Sequence, residues 1–117
     1  MTIQRIEAGP RMSQAVVHGD MVYLAGVIAD DRKGTSVAQQ TSQVLARIDE
    51  LLGKAGSSKS HMLKATIWLR DIADFDEMNT VWDKWVVQGE TPARACVESR
   101  MAAPDVLVEI QITAVRS

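Results

Sequence analysis

The sequence predicts a single two-layer α+β domain spanning residues 1–117, in which a six-stranded, mostly antiparallel sheet carries two helices on one face. Three observations support this prediction. The chain has 117 residues, enough for one hydrophobic core and too few for two. Apolar residues recur with the helical period in two segments and form six shorter strand-like runs. Their order, β-β-β-α-β-α-β-β, lets both helices pack on the same side of one sheet.

Three strands are predicted before the first helix. The first covers residues 3–8 and ends at a Gly-Pro pair, which interrupts regular structure. The second and third are the apolar runs at residues 15–18 and 21–25, separated by a Gly-Asp pair. Two such runs joined by two residues indicate a β-hairpin. Because Gly19 comes first in that pair, we expect a type II′ turn.

Two amphipathic helices flank the fourth predicted strand. The first begins after Ser36, an N-cap residue, and ends before Gly56, which suits a left-handed terminating position. The strand covers residues 63–69, which are rich in strand formers. Asp74 is the predicted N-cap of the second helix. The expected inner face of that helix carries Phe75, Met78, Trp82 and Trp85.

The last two predicted strands, residues 93–99 and 106–115, are joined by a short bend. With both helices on one face, the other face of the sheet is solvated or buried against further subunits. These two strands hold more apolar residues than a solvated face needs, namely Ala93, Val97, Val106, Val108, Ile110 and Ile112. The sequence therefore predicts an oligomer.

Composition excludes several classes of protein. Thirteen basic and fifteen acidic residues give a net charge of −2, which argues against a nucleic-acid surface. One cysteine cannot form an internal disulfide. No apolar run approaches the ~20 residues that a membrane helix needs, and the first residues do not resemble a signal peptide. We therefore expect a soluble cytoplasmic protein that binds neither nucleic acid nor membranes.

Two charged residues on the last strands are the main chemical candidates. Strand alternation places Arg94 on one side with Cys96 and Glu98, between two small alanines. A guanidinium with so little bulk around it can grip a carboxylate through two parallel hydrogen bonds. A hairpin of the last two strands would bring Glu109 opposite Arg94, where its carboxylate could activate a water. Spacing alone favours the plainer interpretations, a salt bridge at the sheet edge for Arg94 and a cross-strand ion pair without chemistry for Glu109.

Other chemical sites find less support in the sequence. Cys96 has no predicted base beside it, because His18 lies in a hairpin and His61 in a polar connection. A small buried thiol is the favoured interpretation of this cysteine. No group of His, Cys or carboxylate residues has the spacing of metal ligands, so no metal site is predicted. No glycine-rich phosphate loop is present.

Several of these segments together resemble one family, the RidA (YjgF-type) reactive-intermediate deaminases. The most specific are Pro-Ala-Arg-Ala-Cys-Val-Glu at residues 92–98 and Val-Glu-Ile at residues 108–110. Supporting likeness comes from Phe-Asp-Glu-Met-Asn at 75–79, from the strand at 65–71, and from residues 21–26. The likeness covers nearly the whole chain.

The resemblance implies a chorismate-mutase-like protomer and a homotrimer with ligand clefts between subunits. It also implies a hydrolase of the 2-iminobutanoate/2-iminopropanoate deaminase type. Such an enzyme converts 2-imino or enamine acids, formed from amino acids, to 2-keto acids and ammonia without cofactor or metal. The implied partner is therefore a small carboxylate substrate. A ribonuclease activity, also attached to relatives in this family, fits poorly with the net charge of −2.

The resemblance also assigns site residues. Arg94 matches the arginine that clamps the substrate carboxylate, and Glu109 matches the glutamate that positions or activates water. Cys96 contributes backbone to the pocket, and Gly26 is the loop glycine near the substrate. Asn79 lies in the segment that resembles the start of the family's second helix; we include it among the expected substrate-binding residues, although its position alone fits equally a residue that caps or braces a neighbouring loop.

Two positions depart from the family pattern, and both departures remove a hydroxyl. Met12 stands where a tyrosine is usual, and Ala25 stands where a serine is usual. Each lost hydrogen bond is worth on the order of 1 kcal/mol of ligand or transition-state stabilisation. The alternative function is therefore a trimeric module that binds a small carboxylate, such as a 2-keto acid, without turning it over.

Overall fold

The computed structural model describes residues 2–117 and confirms the predicted two-layer α+β fold. The strands are β1 (Ile3–Ala8), β2 (Ser13–His18), β3 (Met21–Leu24), β4 (Met62–Leu69), β5 (Ala93–Glu98) and β6 (Val108–Val115). The helices are α1 (Val37–Lys54) and α2 (Phe75–Trp85). Short 3-10 turns, Lys59–His61 and Ile72–Asp74, precede β4 and α2.

The sheet order is β1-β2-β3-β6-β4-β5, and this order corrects one prediction. The last two strands do not form a hairpin, because β4 lies between them. β5 runs parallel to β4, while β6 is antiparallel to both β3 and β4. Parallel neighbours need a crossover, and α2 provides it between β4 and β5. In this arrangement the apolar strand β6 is hydrogen-bonded to a strand on each side, β3 and β4, so it lies in the interior of the sheet.

Local signals along the chain are mostly confirmed. Ser36 caps α1 through a capping box with Gln39, in which each side chain accepts a hydrogen bond from the other residue's backbone. Gly56 has a φ of 78°, the left-handed conformation expected beyond a helix end. Gly19 has a φ of 60°, as the first central residue of a type II′ turn requires.

The predicted cap of α2 is wrong in its detail. Asp74 stands at the N-cap position of α2, but its side chain makes no capping hydrogen bond. Asp71 instead accepts a hydrogen bond from the Ala73 backbone N–H at 2.9 Å, capping the 3-10 turn that leads into α2. A short turn before the helix moves the side-chain cap upstream, and the sequence pattern gave no sign of that turn.

The hydrophobic core lies between the helices and one face of the sheet, and its composition corrects the argument for an oligomer. Val106, Val108, Ile110 and Ile112 are fully buried in this core, so they are not on the uncovered face. Strand register places Val97 level with Trp68, and Tyr23 level with Thr113, on that uncovered face. Tyr23 and Val97 are 47% and 46% exposed. The uncovered face is therefore mixed, with apolar side chains only in parts.

A charged cluster fastens the edge strand β1 to α1. Glu7 accepts hydrogen bonds from Arg47 at 2.6 Å and from Lys54 at 2.8 Å. It is the only non-glycine residue among 2–117 with a positive φ, 50°. A conformation of this kind is costly for a residue with a side chain, so the surrounding contacts must hold it. The two cations lower the pKa of Glu7 to about 2.

This cluster predicts a specific acid sensitivity. A carboxylate with a pKa lowered on folding stabilises the protein above its unfolded pKa, and this contribution is lost as the pH falls towards 2. We expect Glu7→Gln to lower the urea midpoint at pH 7 and to flatten the loss of stability between pH 5 and about 2. Equilibrium urea unfolding across this pH range measures both effects. An equal slope for the variant and the parent protein would contradict the assignment.

Candidate functional site

Arg94 lies on the exposed edge strand β5, and three residues of α2 contact its guanidinium. Its Nη1 donates a hydrogen bond to Oδ1 of Asn79 at 2.7 Å. Its guanidinium carbon lies 5.3 Å from the ring centroid of Trp82 and 5.7 Å from that of Phe75. The predicted site residues Arg94 and Asn79 are thus in direct contact. We call these four residues, Arg94, Asn79, Phe75 and Trp82, the clamp surface.

The helical period explains how α2 supplies three of these residues. Phe75, Asn79 and Trp82 are four and three residues apart, so they follow one face of the helix. The helical spacing of the two aromatic residues predicts that both lie in the core. Trp82 is buried, whereas Phe75 is 37% exposed. The role that was missed is that both rings also support the guanidinium, a cation–π arrangement that favours arginine.

Arg94 forms no salt bridge among residues 2–117. Arginine has five N–H donors in a planar fork, and Asn79 engages one of them. The remaining donors are available on an exposed side chain. A planar carboxylate is the ligand that such a fork binds best.

Cys96 is a poor nucleophile in this setting. It is half-buried against the core on the same side of β5 as Arg94. Burial raises the pKa of the thiol, and the nearby Arg94 charge only partly opposes that effect. A protonated thiol is not reactive. Neither histidine approaches it, since His61 Nδ1 lies 2.8 Å from the Ser58 hydroxyl and His18 lies on β2, four strands away. The sequence favours a buried thiol, and the structure leaves this one half-buried.

Glu109 and Gly26 form the second part of the site. Glu109 points to the uncovered face from β6, level with Trp68. A Cβ atom placed on Gly26 would lie 2.0 Å from Oε2 of Glu109, so the carboxylate occupies the space of a side chain at position 26. Backbone hydrogen bonds of 2.8 and 3.1 Å between Val27 and Ile110 fix this close approach.

Gly26 also lines a cleft of about 800 Å³, whose wall does not include Glu109 itself. Met12, whose side chain is 46% exposed, and Gln14 line the same cleft. The backbone N–H of Ala25 donates to the Gln14 carbonyl at 2.9 Å, which joins the end of β3 to the start of β2. We call Glu109, Gly26, Ala25 and Met12 the carboxylate surface. All four are predicted site residues, and two of them, Gly26 and Met12, line the cleft.

Within one protomer the two surfaces do not meet, which corrects the predicted pairing of Arg94 with Glu109. Arg94 is in register with Ala65 and Ile112, and Glu109 lies three residues from Ile112 along β6. An odd offset reverses the side of the sheet to which a side chain points. The two strands are also separated by β4, which puts these residues about 10 Å apart across the sheet. Arg94 and Glu109 therefore point to opposite faces.

The contact between Gly26 and Glu109 leads to a test. We expect Gly26→Ala to push the Glu109 carboxylate out of its place, because the new methyl would overlap Oε2. The fold should survive, since a flexible side chain end can move. Any activity that depends on Glu109 should fall by roughly tenfold, the cost of about 1.4 kcal/mol of misplacement. A crystal structure of the variant reports the displacement. Gly53→Ala is the matched control, because nothing lies near a Cβ there.

Over residues 2–117, no group of three or more His, Cys, Asp or Glu residues could hold a metal ion. In the same part of the chain, no helix is long and apolar enough to cross a membrane.

Comparison with known proteins covers the whole chain. The family described as endoribonuclease L-PSP matches residues 2–116. The chain is 44% identical over 114 residues to the RutC family protein YoaB of Escherichia coli, covering 97% of this chain and 98% of that protein. It is 42% identical over 114 residues to a RutC family protein of Haemophilus influenzae, with the same coverage of both chains.

A solved structure gives the same result for the fold. The crystal structure of a member of the YjgF protein family from Neisseria meningitidis superposes with a TM-score of 0.96 and 49% sequence identity. The superposition covers 100% of this chain and 97% of that one.

Proposed function

The chain belongs to the YjgF family, whose family description is endoribonuclease L-PSP, and from this premise we propose that it is an enamine/imine deaminase. The proposed substrates are 2-imino acids derived from amino acids, and the products are 2-keto acids and ammonia. One observation carries the proposal. Arg94 is held by Asn79 and two aromatic rings, with no carboxylate of residues 2–117 to neutralise it.

The proposed site is completed by a second copy of the chain. Arg94 and Glu109 point to opposite faces of the sheet, so the two side chains of one protomer cannot contact the same small ligand. In a cyclic oligomer, the clamp surface of one protomer can meet the carboxylate surface of the next. A homotrimer whose sheets face each other fits the uncovered face that carries Glu109. The family fold is compatible with such an assembly.

In the proposed reaction, Arg94 binds the substrate carboxylate and orients the C=N carbon. Glu109 of the neighbouring protomer accepts a proton as water adds to that carbon of the protonated imine, giving a neutral carbinolamine. The carboxyl returns the proton to nitrogen, and the C–N bond breaks to release ammonia. The Glu109 carboxylate takes the hydroxyl proton as the carbonyl forms and passes it to the departing ammonia, which leaves as ammonium. Positioning and one general base, worth roughly 10²–10⁴-fold, suffice because free imines already hydrolyse in water. No step uses a metal or cofactor.

The experiment is a trapping assay. An amino-acid oxidase generates imines from a panel of amino acids in the presence of semicarbazide, which captures imine that has not been hydrolysed. We expect this protein to lower the yield of semicarbazone with some amino acids, and the ranking of those amino acids identifies the substrate. An unchanged yield with every amino acid would overturn the deaminase proposal.

A second candidate function is favoured by the missing hydroxyls. Met12 and Ala25 place apolar side chains on the carboxylate surface where the family pattern has polar ones. A site that keeps the arginine but lacks these donors would bind a 2-keto acid without catalysis. Calorimetric binding of pyruvate or 2-ketobutyrate by a protein that is inactive in the trapping assay would support this function.

A further inference from the structure

A groove between the two helices is separate from both surfaces described above. Its volume is about 470 Å³. Apolar side chains of Leu45, Val81 and Trp85 line it. Its charged residues are Asp49 of α1, Lys84 of α2 and Lys59 of the turn before β4. None of these residues belongs to the clamp surface or the carboxylate surface.

Trp85 is fixed in this groove by contacts on several sides. Its indole N–H donates to Oδ2 of Asp49 at 2.9 Å. Lys59 Nζ lies 5.4 Å from its ring centroid, and the Trp82 ring packs against it at 5.5 Å. The ring is only half-buried, so part of this immobile apolar surface remains accessible. Because the ring is already held in place, binding a ligand against it costs less conformational entropy.

The charges of the groove are unbalanced towards positive. The Asp49 carboxylate accepts the Trp85 N–H and keeps its negative charge, so the groove holds two cations and one anion. The ammonium groups of Lys59 and Lys84 form no ion pair with any carboxylate in the described part of the chain. These two cations flank an apolar surface on a protein whose net charge is −2. Two unpaired cations in a concave site attract an anion.

We propose that this groove binds a small molecule with a flat apolar body and one anionic group, of the chemical class of aromatic carboxylates. The apolar body packs against the exposed part of Trp85 and against Val81, while the anion lies between Lys59 and Lys84. The volume of about 470 Å³ lies in the range of small-molecule sites, roughly 300–1,000 Å³. This site is independent of the proposed deaminase reaction, and its ligand would act as an effector or cargo.

The test uses 2-naphthoate as the probe and the uncharged 2-naphthalenemethanol as its comparison. The indole N–H signal of Trp85 is identified in a ¹⁵N–¹H spectrum of the full chain by its loss in Trp85→Phe. We expect 2-naphthoate to shift this signal saturably, and the alcohol to bind more weakly. Absence of a shift, or equal affinity for the alcohol, would overturn the proposal.

Two variants make the test specific. Lys59→Gln combined with Lys84→Gln should weaken 2-naphthoate binding about three- to tenfold, the combined size of two exposed charge contacts. Lys33→Gln combined with Arg100→Gln removes two exposed loop charges elsewhere and should leave the affinity unchanged. Arg94→Ala should also leave it unchanged, because the clamp surface is a different site. Equal weakening by the control pair, or loss of binding in Arg94→Ala, would show that the probe binds elsewhere.

Discussion

Replacing Arg94 by alanine is expected to abolish imine hydrolysis. The variant loses the group that binds the substrate carboxylate, which no other residue of the clamp surface can replace. Charge-assisted hydrogen bonds are worth about 1.5–3 kcal/mol each, so losing two lowers kcat/KM by roughly 10²–10⁴-fold. The trapping assay and calorimetric titration with pyruvate measure the loss of activity and of binding.

The fold should tolerate this change, because Arg94 is exposed at a sheet edge and forms no ion pair among residues 2–117. Arg94→Lys keeps the charge but not the planar fork, so we expect it to retain only part of the binding. Arg100→Ala, an exposed arginine just beyond β5, is the matched control and should behave like the parent protein. A fully active Arg94→Ala protein would refute the assignment of the clamp surface.

Glu109→Gln should have the second-largest effect. Glutamine has nearly the same shape, so it should occupy the same space beside Gly26. It cannot accept the proton of an attacking water, and removing a general base costs roughly 10²–10⁴-fold in kcat. Because Arg94 remains, KM should change little. Glu90→Gln, in an exposed turn, is the control. A drop in binding without a drop in kcat would indicate that Glu109 contacts the ligand and does no proton transfer.

The two inactive variants together test whether the site is shared between protomers. Co-expressed Arg94→Ala and Glu109→Gln chains would form mixed oligomers in which some interfaces carry both intact residues. With random mixing, about a quarter of the interfaces regain both, so about a quarter of the parent activity should return. If the mixed oligomers are no more active than the separate variants, the site is not shared between protomers.

The parts of the fold that depend on neighbouring residues were predictable from the sequence. The capping box at Ser36, the turn at Gly19 and the end of α1 at Gly56 are each decided within a few residues, and all three are confirmed. The alternation on β5 also placed Arg94 and Cys96 correctly on the same side.

The pairing of distant strands was not predictable in the same way. Adjacent strands joined by a short bend usually form a hairpin, but β6 gains two neighbours by lying between β3 and β4. That choice depends on the whole sheet, and it determined which face Glu109 points to. The aromatic support of Arg94 was missed because the spacing of Phe75 and Trp82 is equally typical of a core helix. The close approach of Glu109 to Gly26 has no signal in the local sequence at all.

That close approach couples two positions 83 apart in the chain. Position 26 can hold a side chain only if the one at position 109 shortens or turns away. Among homologous sequences, the two positions are therefore expected to covary: glycine at one should accompany glutamate at the other, and a larger residue should accompany a smaller or differently shaped one. The residue at position 26 would then divide the family into members that keep the acidic group against the backbone of that position and members that have lost it.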